Sequence, residues 1–271
     1  MPATTWLTSS PTRNALAAFA GGAVIGTLGG LIGLAGAEFR LPLLIGAFGF
    51  SALQAVILNN AMSIVVVASA LPFRAATVPF SALAAQWPVI ANLLAGSLLG
   101  AWLGASWATK IASHTLYRVF AVLLFVIAIV MVAAHHPAAS GALLLTGAVQ
   151  MVAGIAAGFI IGIVATLLGV AGGELLIPTL VLLFGADIKL AGSLSLAVSL
   201  PTLLVGFTRY CQDRSISVLG ENRLFVLAMV AGSITGTFIG GRLLGVFPSR
   251  ILPPLLAMIL VLSAIKMWRH K

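Results

Sequence analysis

The 271-residue chain is far more apolar than a soluble protein: 61% of its residues are hydrophobic, 7% are charged, and its mean hydropathy is +1.18. A soluble protein carries roughly a quarter of charged residues, so the composition excludes a soluble domain and indicates an integral membrane protein. The net charge of +9 lies in short gaps between apolar runs, as expected of basic cytoplasmic loops, and no basic helix or aromatic platform indicates a nucleic-acid partner.

Five apolar segments follow a short polar lead in the first half of the chain. They cover residues 15–34, 38–50, 51–71, 83–104 and 116–134. The first matches the ~20 residues that span a bilayer and has a counterpart in the second half, so we interpret it as a transmembrane helix rather than a cleaved signal. The second is short and contains a proline, which favours a half-helix. The fourth contains AGSLLGAWLG, whose small residues at four-residue spacing predict close packing against another helix.

The same order of segments returns after a midpoint at His135, His136 and Pro137. The second set covers residues 151–170, 174–186, 188–207, 224–241 and 251–267, and loops are predicted at 72–81 and 209–223. The prediction divides the chain into a first membrane repeat (1–134), a linker (135–145) and a second membrane repeat (146–271).

The two halves are related by one constant shift along the chain. Residues 26–104 align with 162–240 without a gap, and 21 of the 79 pairs are identical. Identity between rare residues is the stronger evidence for this relation, and two of the three glutamates align with each other. We therefore predict an all-α polytopic membrane protein with two homologous halves of about five helical segments each. An odd number of crossings per half would make the repeats inverted, an arrangement that supports alternating access.

A motif interrupted by Gly and Pro occurs once in each half, as GLIGLAGAEFRLPLL at 30–44 and TLLGVAGGELLIPTL at 166–180. Glycine adds backbone entropy and proline removes a hydrogen-bond donor, so both oppose a continuous helix. The predicted helix-break positions are Gly33, Pro42, Gly169 and Pro178. Free N–H groups and the positive end of a helix dipole face such a break inside a membrane. We interpret the two copies as a paired anion-binding site.

Each copy of the motif contains a glutamate, at Glu38 and Glu174. An ionisable residue within an apolar segment indicates function by default, although a carboxylate that caps a helix start at the interface is an alternative. A carboxyl group removed from water favours its neutral form and can carry a proton through the membrane. We therefore predict that Glu38 and Glu174 couple transport to protons.

The doubled motif resembles the sulfite exporter TauE/SafE family of bacterial membrane permeases, and the resemblance covers nearly the whole chain. It implies transport of a small anion, such as sulfite, a sulfonate, sulfoacetate or another organic anion, across the bacterial cytoplasmic (inner) membrane. The chain departs from the family's usual run of three glycines, because it has Ala35, Gly36 and Ala37 in one copy and Ala171, Gly172 and Gly173 in the other.

Other polar residues of the apolar segments have alternative roles. Arg40, whose counterpart is Leu176, would pair with Glu38, bind an anion through two hydrogen bonds or extend to the lipid headgroups. The asparagine and serine side chains either bond neighbouring helices or line the pathway. The complete set of predicted substrate-binding residues is Gly36, Ala37, Glu38, Arg40, Asn59, Asn60, Gly172, Gly173, Glu174, Ser193 and Ser195.

The expected function is a secondary transporter that moves a small anion, sulfur-containing by resemblance, together with protons. An anion channel, or a permease for a small carboxylate without proton coupling, is the alternative. The single cysteine, Cys211, excludes a cysteine metal cluster, and no hydrolase motif is present. We expect no enzyme activity, metal or cofactor. The expected partners are the anion, a proton and the lipid bilayer, and a homo-oligomer is left open.

Overall fold

The computed structural model describes residues 11–32, 36–75, 78–133, 146–212 and 217–243, and single positions between 258 and 268. Every regular element in these residues is an α-helix. The helices are α1 (Pro11–Ile32), α2 (Ala37–Gly46), α3 (Ala52–Ala75), α4 (Phe80–Ala85), α5 (Trp87–Ala108), α6 (Ser113–Ala133), α7 (Gly147–Leu168), α8 (Gly173–Phe184), α9 (Ile188–Gln212), α10 (Ser217–Glu221) and α11 (Arg223–Leu243).

Five of these helices, α3, α5, α7, α9 and α11, are long and apolar enough to cross a membrane. A helix of 22 residues is about 33 Å long at about 1.5 Å per residue, which matches a hydrocarbon core of about 30 Å. α1 and α6 have similar lengths of 22 and 21 residues. The prediction of a multi-pass, all-α membrane protein is confirmed.

Two helices are too short to cross. α2 has 10 residues and α8 has 12, so each covers about 15 to 18 Å. These are the half-helices expected at 38–50 and 174–186, although both end earlier than the apolar runs. α8 ends because Gly185 adopts a left-handed conformation (φ 66°), which terminates a helix readily when the residue has no Cβ.

Two loop predictions were wrong. α3 continues to Ala75, into the predicted loop 72–81, and α9 continues to Gln212, into the predicted loop 209–223, where α10 also forms. The apolar run 83–104 is divided between α4 and α5 at Gln86, because Pro88 cannot donate a backbone hydrogen bond and favours a new helix start. The predicted linker 135–145 lies outside the described residues, as does most of the predicted segment 251–267.

Two helix pairs account for the closest packing, α1 with α11 and α5 with α7. Glycines allow both. A Cβ added at Gly96 or Gly100 of α5 would overlap the α7 backbone at Ile155 or Phe159, and one added at Gly158 of α7 would overlap Leu93 of α5. The packing predicted from AGSLLGAWLG is therefore confirmed, since small residues let the two backbones touch.

The same glycine contacts join α1 to α11. A Cβ at Gly22 or Gly26 of α1 would overlap the α11 backbone at Met229 or Ser233, and a Cβ at Gly232 of α11 would overlap Phe19. Thus α1 packs against α11, and α7 packs against α5.

Three helices of the second half begin at a constant distance along the sequence from their counterparts in the first half. α1, α2 and α3 begin at positions 11, 37 and 52, whereas α7, α8 and α9 begin at positions 147, 173 and 188. The separation is the same for all three pairs and equals the shift that relates the two halves of the sequence. The origin of the two halves by duplication stays a prediction.

Candidate functional site

The site is built on two glycines that start the half-helices. Gly36 (φ 65°, ψ 15°) precedes α2 and Gly172 (φ 71°, ψ 14°) precedes α8, and no side chain caps either helix start. Both conformations are left-handed, where a Cβ is strained. At Gly36 an added Cβ would also lie 2.7 Å from the carbonyl oxygen of Ile25. The sequence therefore places a positive helix end at the same point of each half.

The prolines of the motif lie inside these helices. Pro42 is within α2 and Pro178 within α8, so the prediction that they break the helix was wrong. Proline removes one intrahelical bond, so the Glu38 and Glu174 carbonyls lack the amide that normally follows four residues later, but the helix continues on its other bonds. The actual interruption precedes the helix starts. Gly169 (φ 66°) ends α7, and Gly33 lies outside the described residues.

The carboxyl groups of Glu38 and Glu174 meet in the interior. Each lies in the first turn of its half-helix, and the two carboxyl groups are close enough to interact electrostatically. Glu38 is 2% exposed, whereas part of the Glu174 side chain is exposed. The Oε2 atom of each is buried without a hydrogen-bond partner. Two carboxylates can only accept hydrogen bonds, so a hydrogen bond between them would need a proton on one of the two.

Arg40 is a buried cation near this pair. Its side chain has no exposed surface, and Nε, Nη1 and Nη2 all lack hydrogen-bond partners. Glu38 interacts with it electrostatically, but no carboxylate of the described residues is within the 4.0 Å of an ion-pair contact. Full burial also means that the guanidinium does not extend to lipid headgroups. A buried charge without a partner is costly, and the described residues leave the Arg40 N–H groups without an acceptor.

Asn59 and Ser63 of α3 connect the two interruptions. The Asn59 side-chain amide donates to the carbonyls of Ala37 (3.0 Å), at the start of α2, and Leu168 (3.0 Å), at the end of α7. The Ser63 hydroxyl lies 3.0 Å from the carbonyl of Gly169. One helix of the first half thus holds both turns together through buried hydrogen bonds, which position the two glutamates.

Asn60 has a different environment. Both polar atoms of its amide are buried without partners, and the side chain lies near Thr166 and Gly206. A buried amide with no partner is rare in a folded protein. Asn60 therefore joins Arg40 among the described side chains whose hydrogen-bonding groups are all unused.

Ser193 and Ser195 are buried in α9 but bond only within that helix in the described structure. The Ser193 hydroxyl lies 3.4 Å from the carbonyl of Lys189, and the Ser195 hydroxyl lies 2.9 Å from the carbonyl of Gly192. Their hydroxyls are still able to accept a bond. No contact in the described residues places them with the two glutamates.

Two residues that hold the second interruption were not among the predicted site residues. The Ser199 hydroxyl donates to the carbonyl of Ala171, and the Tyr210 hydroxyl donates to the carbonyl of Thr166 (3.0 Å). Ser199 was detectable because it corresponds to Ser63 in the alignment of the two halves. Tyr210 was hidden because its neighbour Arg209 placed it in a predicted loop.

The described residues contain no group of three or more His, Cys, Asp or Glu side chains that could hold a metal ion. The site does present two neighbouring carboxyl groups, a buried cation with unused donors and two positive helix ends. Groups of these kinds can hold and release a proton and can attract an anion.

Comparisons with known proteins agree with this geometry. The family model described as sulfite exporter TauE/SafE matches residues 18–267, nearly the whole chain. A search of curated proteins and a search of solved structures each found no match. With its membrane-spanning helices and the extent of the match, the chain belongs to the sulfite exporter TauE/SafE family of membrane transporters.

Proposed function

We propose that this chain is a proton-coupled secondary transporter for a small sulfur-containing anion of the sulfite, sulfonate or sulfoacetate type, located in the bacterial cytoplasmic membrane. The observation that carries the proposal is the proximity of Glu38 and Glu174, whose carboxyl groups interact electrostatically. The two side chains are far apart in the sequence and lie at the first turns of two half-helices.

Anion binding is assigned to Arg40 and the adjacent helix starts. A guanidinium matches the planar spacing of two oxyanion oxygens, and the Arg40 nitrogens have no other partner. Amide groups after Gly36 and Gly172 add a positive field without further cationic side chains.

Proton coupling is assigned to the glutamate pair. A carboxyl group that is buried beside another carboxyl group gains a proton more readily than one in water, because the second negative charge has no solvent to stabilise it. The unpartnered Oε2 atoms of Glu38 and Glu174 are the positions that accept a further proton.

Alternating access is assigned to motion of one half relative to the other. Matching helix starts in the two halves and an interrupted helix in each half support two inverted repeats with a site between them. α1 of the first half packs on α11 of the second half, and α7 of the second half packs on α5 of the first. In this proposal each half therefore contributes one helix that moves with the opposite half.

Transport by the purified protein in proteoliposomes tests the proposal. We expect saturable uptake of sulfite or sulfoacetate that follows an imposed pH gradient, with little uptake of simple carboxylates and none into protein-free vesicles. Rapid flux without saturation would identify a channel, and uptake of carboxylates alone without pH dependence would identify an uncoupled carboxylate permease. Either result would overturn the proposal.

A further inference from the structure

Eight of the described helices form two bundles that correspond to each other. The first bundle contains α1, α2, α3 and α11, and the second contains α7, α8, α9 and α5. Gly232 of α11 lies against Phe19 of α1, and Gly96 of α5 lies against Ile155 of α7, at the shift that relates the two halves of the sequence. Helices whose backbones touch resist sliding past each other, so each bundle behaves as one unit.

The two bundles meet at a seam between α3 and α9. A hydrogen bond of 2.8 Å between the hydroxyls of Ser97 and Thr202 fixes α9 to α5 within the second bundle. The seam itself is an apolar cluster of residues from both sides: Val66, Val67, Ala171, Leu196 and Leu203. Apolar contacts are non-directional, so the arrangement of the two bundles depends on the hydrogen bonds that cross the seam.

Asn59 of α3 bonds to both bundles. Its side-chain amide has two N–H donors, which it gives to the carbonyl of Ala37 (3.0 Å) in the first bundle and to the carbonyl of Leu168 (3.0 Å) in the second. One turn later, the Ser63 hydroxyl lies 2.7 Å from the carbonyl of Asn59 and 3.0 Å from that of Gly169. Both side chains have no exposed surface, so water does not compete for these bonds.

The residues of α9 at the corresponding positions bond inside the second bundle. Ser195 takes the place of Asn59, and its hydroxyl lies 2.9 Å from a carbonyl of its own helix. Ser199 takes the place of Ser63 and donates to the carbonyl of Ala171. A hydroxyl has one O–H donor, so both serines already use theirs. The bonds that α3 makes across the seam are therefore not matched by Ser195 and Ser199.

We propose that Asn59 is a latch that holds the two bundles in the described arrangement, an inference that rests on the alternating access of the proposed function. When the bundles rock apart, the bond from Asn59 to Ala37 stays within the first bundle, whereas the bond to Leu168 has to break. Two inverted repeats exchange their roles in the opposite state, but there Ser195 offers one donor where Asn59 offers two. The latched arrangement is therefore the more populated of the two.

Maleimide labelling of a cysteine in the seam, with the purified protein in detergent, tests the latch. The single cysteine, Cys211, is first replaced by serine, and Leu203→Cys is the reporter because Leu203 is buried in the seam. When opening and closing are faster than labelling, the labelling rate follows the population of the open form. Loss of one buried hydrogen bond changes such a population by roughly fivefold, so Asn59→Ser should raise the labelling rate by about that factor.

Two controls separate a latch from a general loosening of the protein. Leu180→Cys reports on the interior of the second bundle, where Leu180 is buried, and Asn59→Ser should leave its labelling rate unchanged. Ser97→Ala removes a buried hydrogen bond inside the second bundle and should leave the labelling of Leu203→Cys unchanged. If Asn59→Ser does not yield folded protein, Ser63→Ala replaces it, with a smaller rise in the same direction.

A faster labelling of Leu203→Cys alone supports the latch. The latch is overturned if the variant of Asn59 or Ser63 leaves that rate unchanged, if Leu180→Cys is labelled faster to the same extent, or if Ser97→Ala has an equal effect. Wild-type uptake of sulfite and sulfoacetate into proteoliposomes is measured separately. Absence of saturable uptake overturns the proposed function, whereas uptake without an effect on labelling overturns the latch alone.

Discussion

At the scale of single residues, the approach of Glu38 and Glu174 is the central feature. Their carboxyl groups interact electrostatically although they come from helix starts in different parts of the chain. In the proposed mechanism, a proton taken up by this pair is released when the two helix starts separate.

Glutamine variants test this role. Each of Glu38→Gln and Glu174→Gln should reduce the maximal transport rate while retaining part of its pH dependence, because one titratable carboxyl group remains. The amide can still donate a hydrogen bond to the remaining carboxylate but cannot release a proton, so we expect the rate to fall by roughly tenfold or more. Initial uptake rates at several pH values provide the measurement.

The third glutamate of the chain provides the control. Glu221 is exposed in α10, so Glu221→Gln should transport like the wild type. If Glu38→Gln, Glu174→Gln and the double variant all keep the full rate and pH dependence, the two carboxyl groups do not couple transport to protons.

Arg40 yields a prediction in which stability and activity change in opposite directions. Arg40→Leu should abolish anion uptake, while the melting temperature in detergent stays the same or rises, because a buried charge without a partner is removed. Leucine is a suitable replacement, since Leu176 occupies the equivalent, buried position of α8. Arg40→Lys should keep some uptake. A fall in melting temperature with Arg40→Leu would indicate a structural role instead.

Sequence reasoning at this scale could predict the glutamate pair but not the burial and partners of Arg40. Both glutamates are rare residues at matching positions of the two halves, so the repeat and the break pattern were enough to place them together. For Arg40 the sequence left three roles open, because its partners depend on how α2 turns toward its neighbours. Burial of the guanidinium without an ion-pair contact is a property of packing.

At the scale of helices, glycine contacts between α5 and α7 determine how closely the spans approach. Gly96→Ala and Gly158→Ala should each lower stability by about 1 to 3 kcal/mol, because the new methyl group overlaps a backbone carbonyl of the partner helix. Thermal unfolding in detergent measures the change.

Gly220 of α10 is the matched control for these two variants, since an added Cβ there meets nothing within 4 Å. Gly220→Ala should be neutral or stabilising by up to about 1 kcal/mol. Equal melting temperatures for all three alanine variants would contradict the proposed role of close backbone contact.

The helices themselves were largely predictable, while their ends were less so. Hydrophobic length identified the spans and the two half-helices. The prolines were misread because Pro42 and Pro178 cost one bond each inside α2 and α8, whereas the interruption depends on left-handed glycines six residues earlier. α4 and α10 were missed because helices of 6 and 5 residues are too short to produce a periodic pattern.

At the scale of the whole molecule, the packing of α1 on α11 and α7 on α5 predicts that the halves depend on each other. Residues 1–134 and 146–271 expressed separately should each be unstable and degraded, because each would expose a glycine-lined helix face to lipid. Expressed together, they should copurify and recover transport. A tagged half that is stable and monodisperse alone would contradict this prediction.

The pairing of α1 with α11 also constrains how the protein is made. α1 ends at Ile32 and α11 begins at Arg223, so about 190 residues separate the partners, which a ribosome adds in roughly 10 to 40 s. During that interval the nascent α1 is in the bilayer without α11, the helix against which it packs. Insertion must therefore keep this helix available, through the translocon or a membrane chaperone, until α11 has been synthesised.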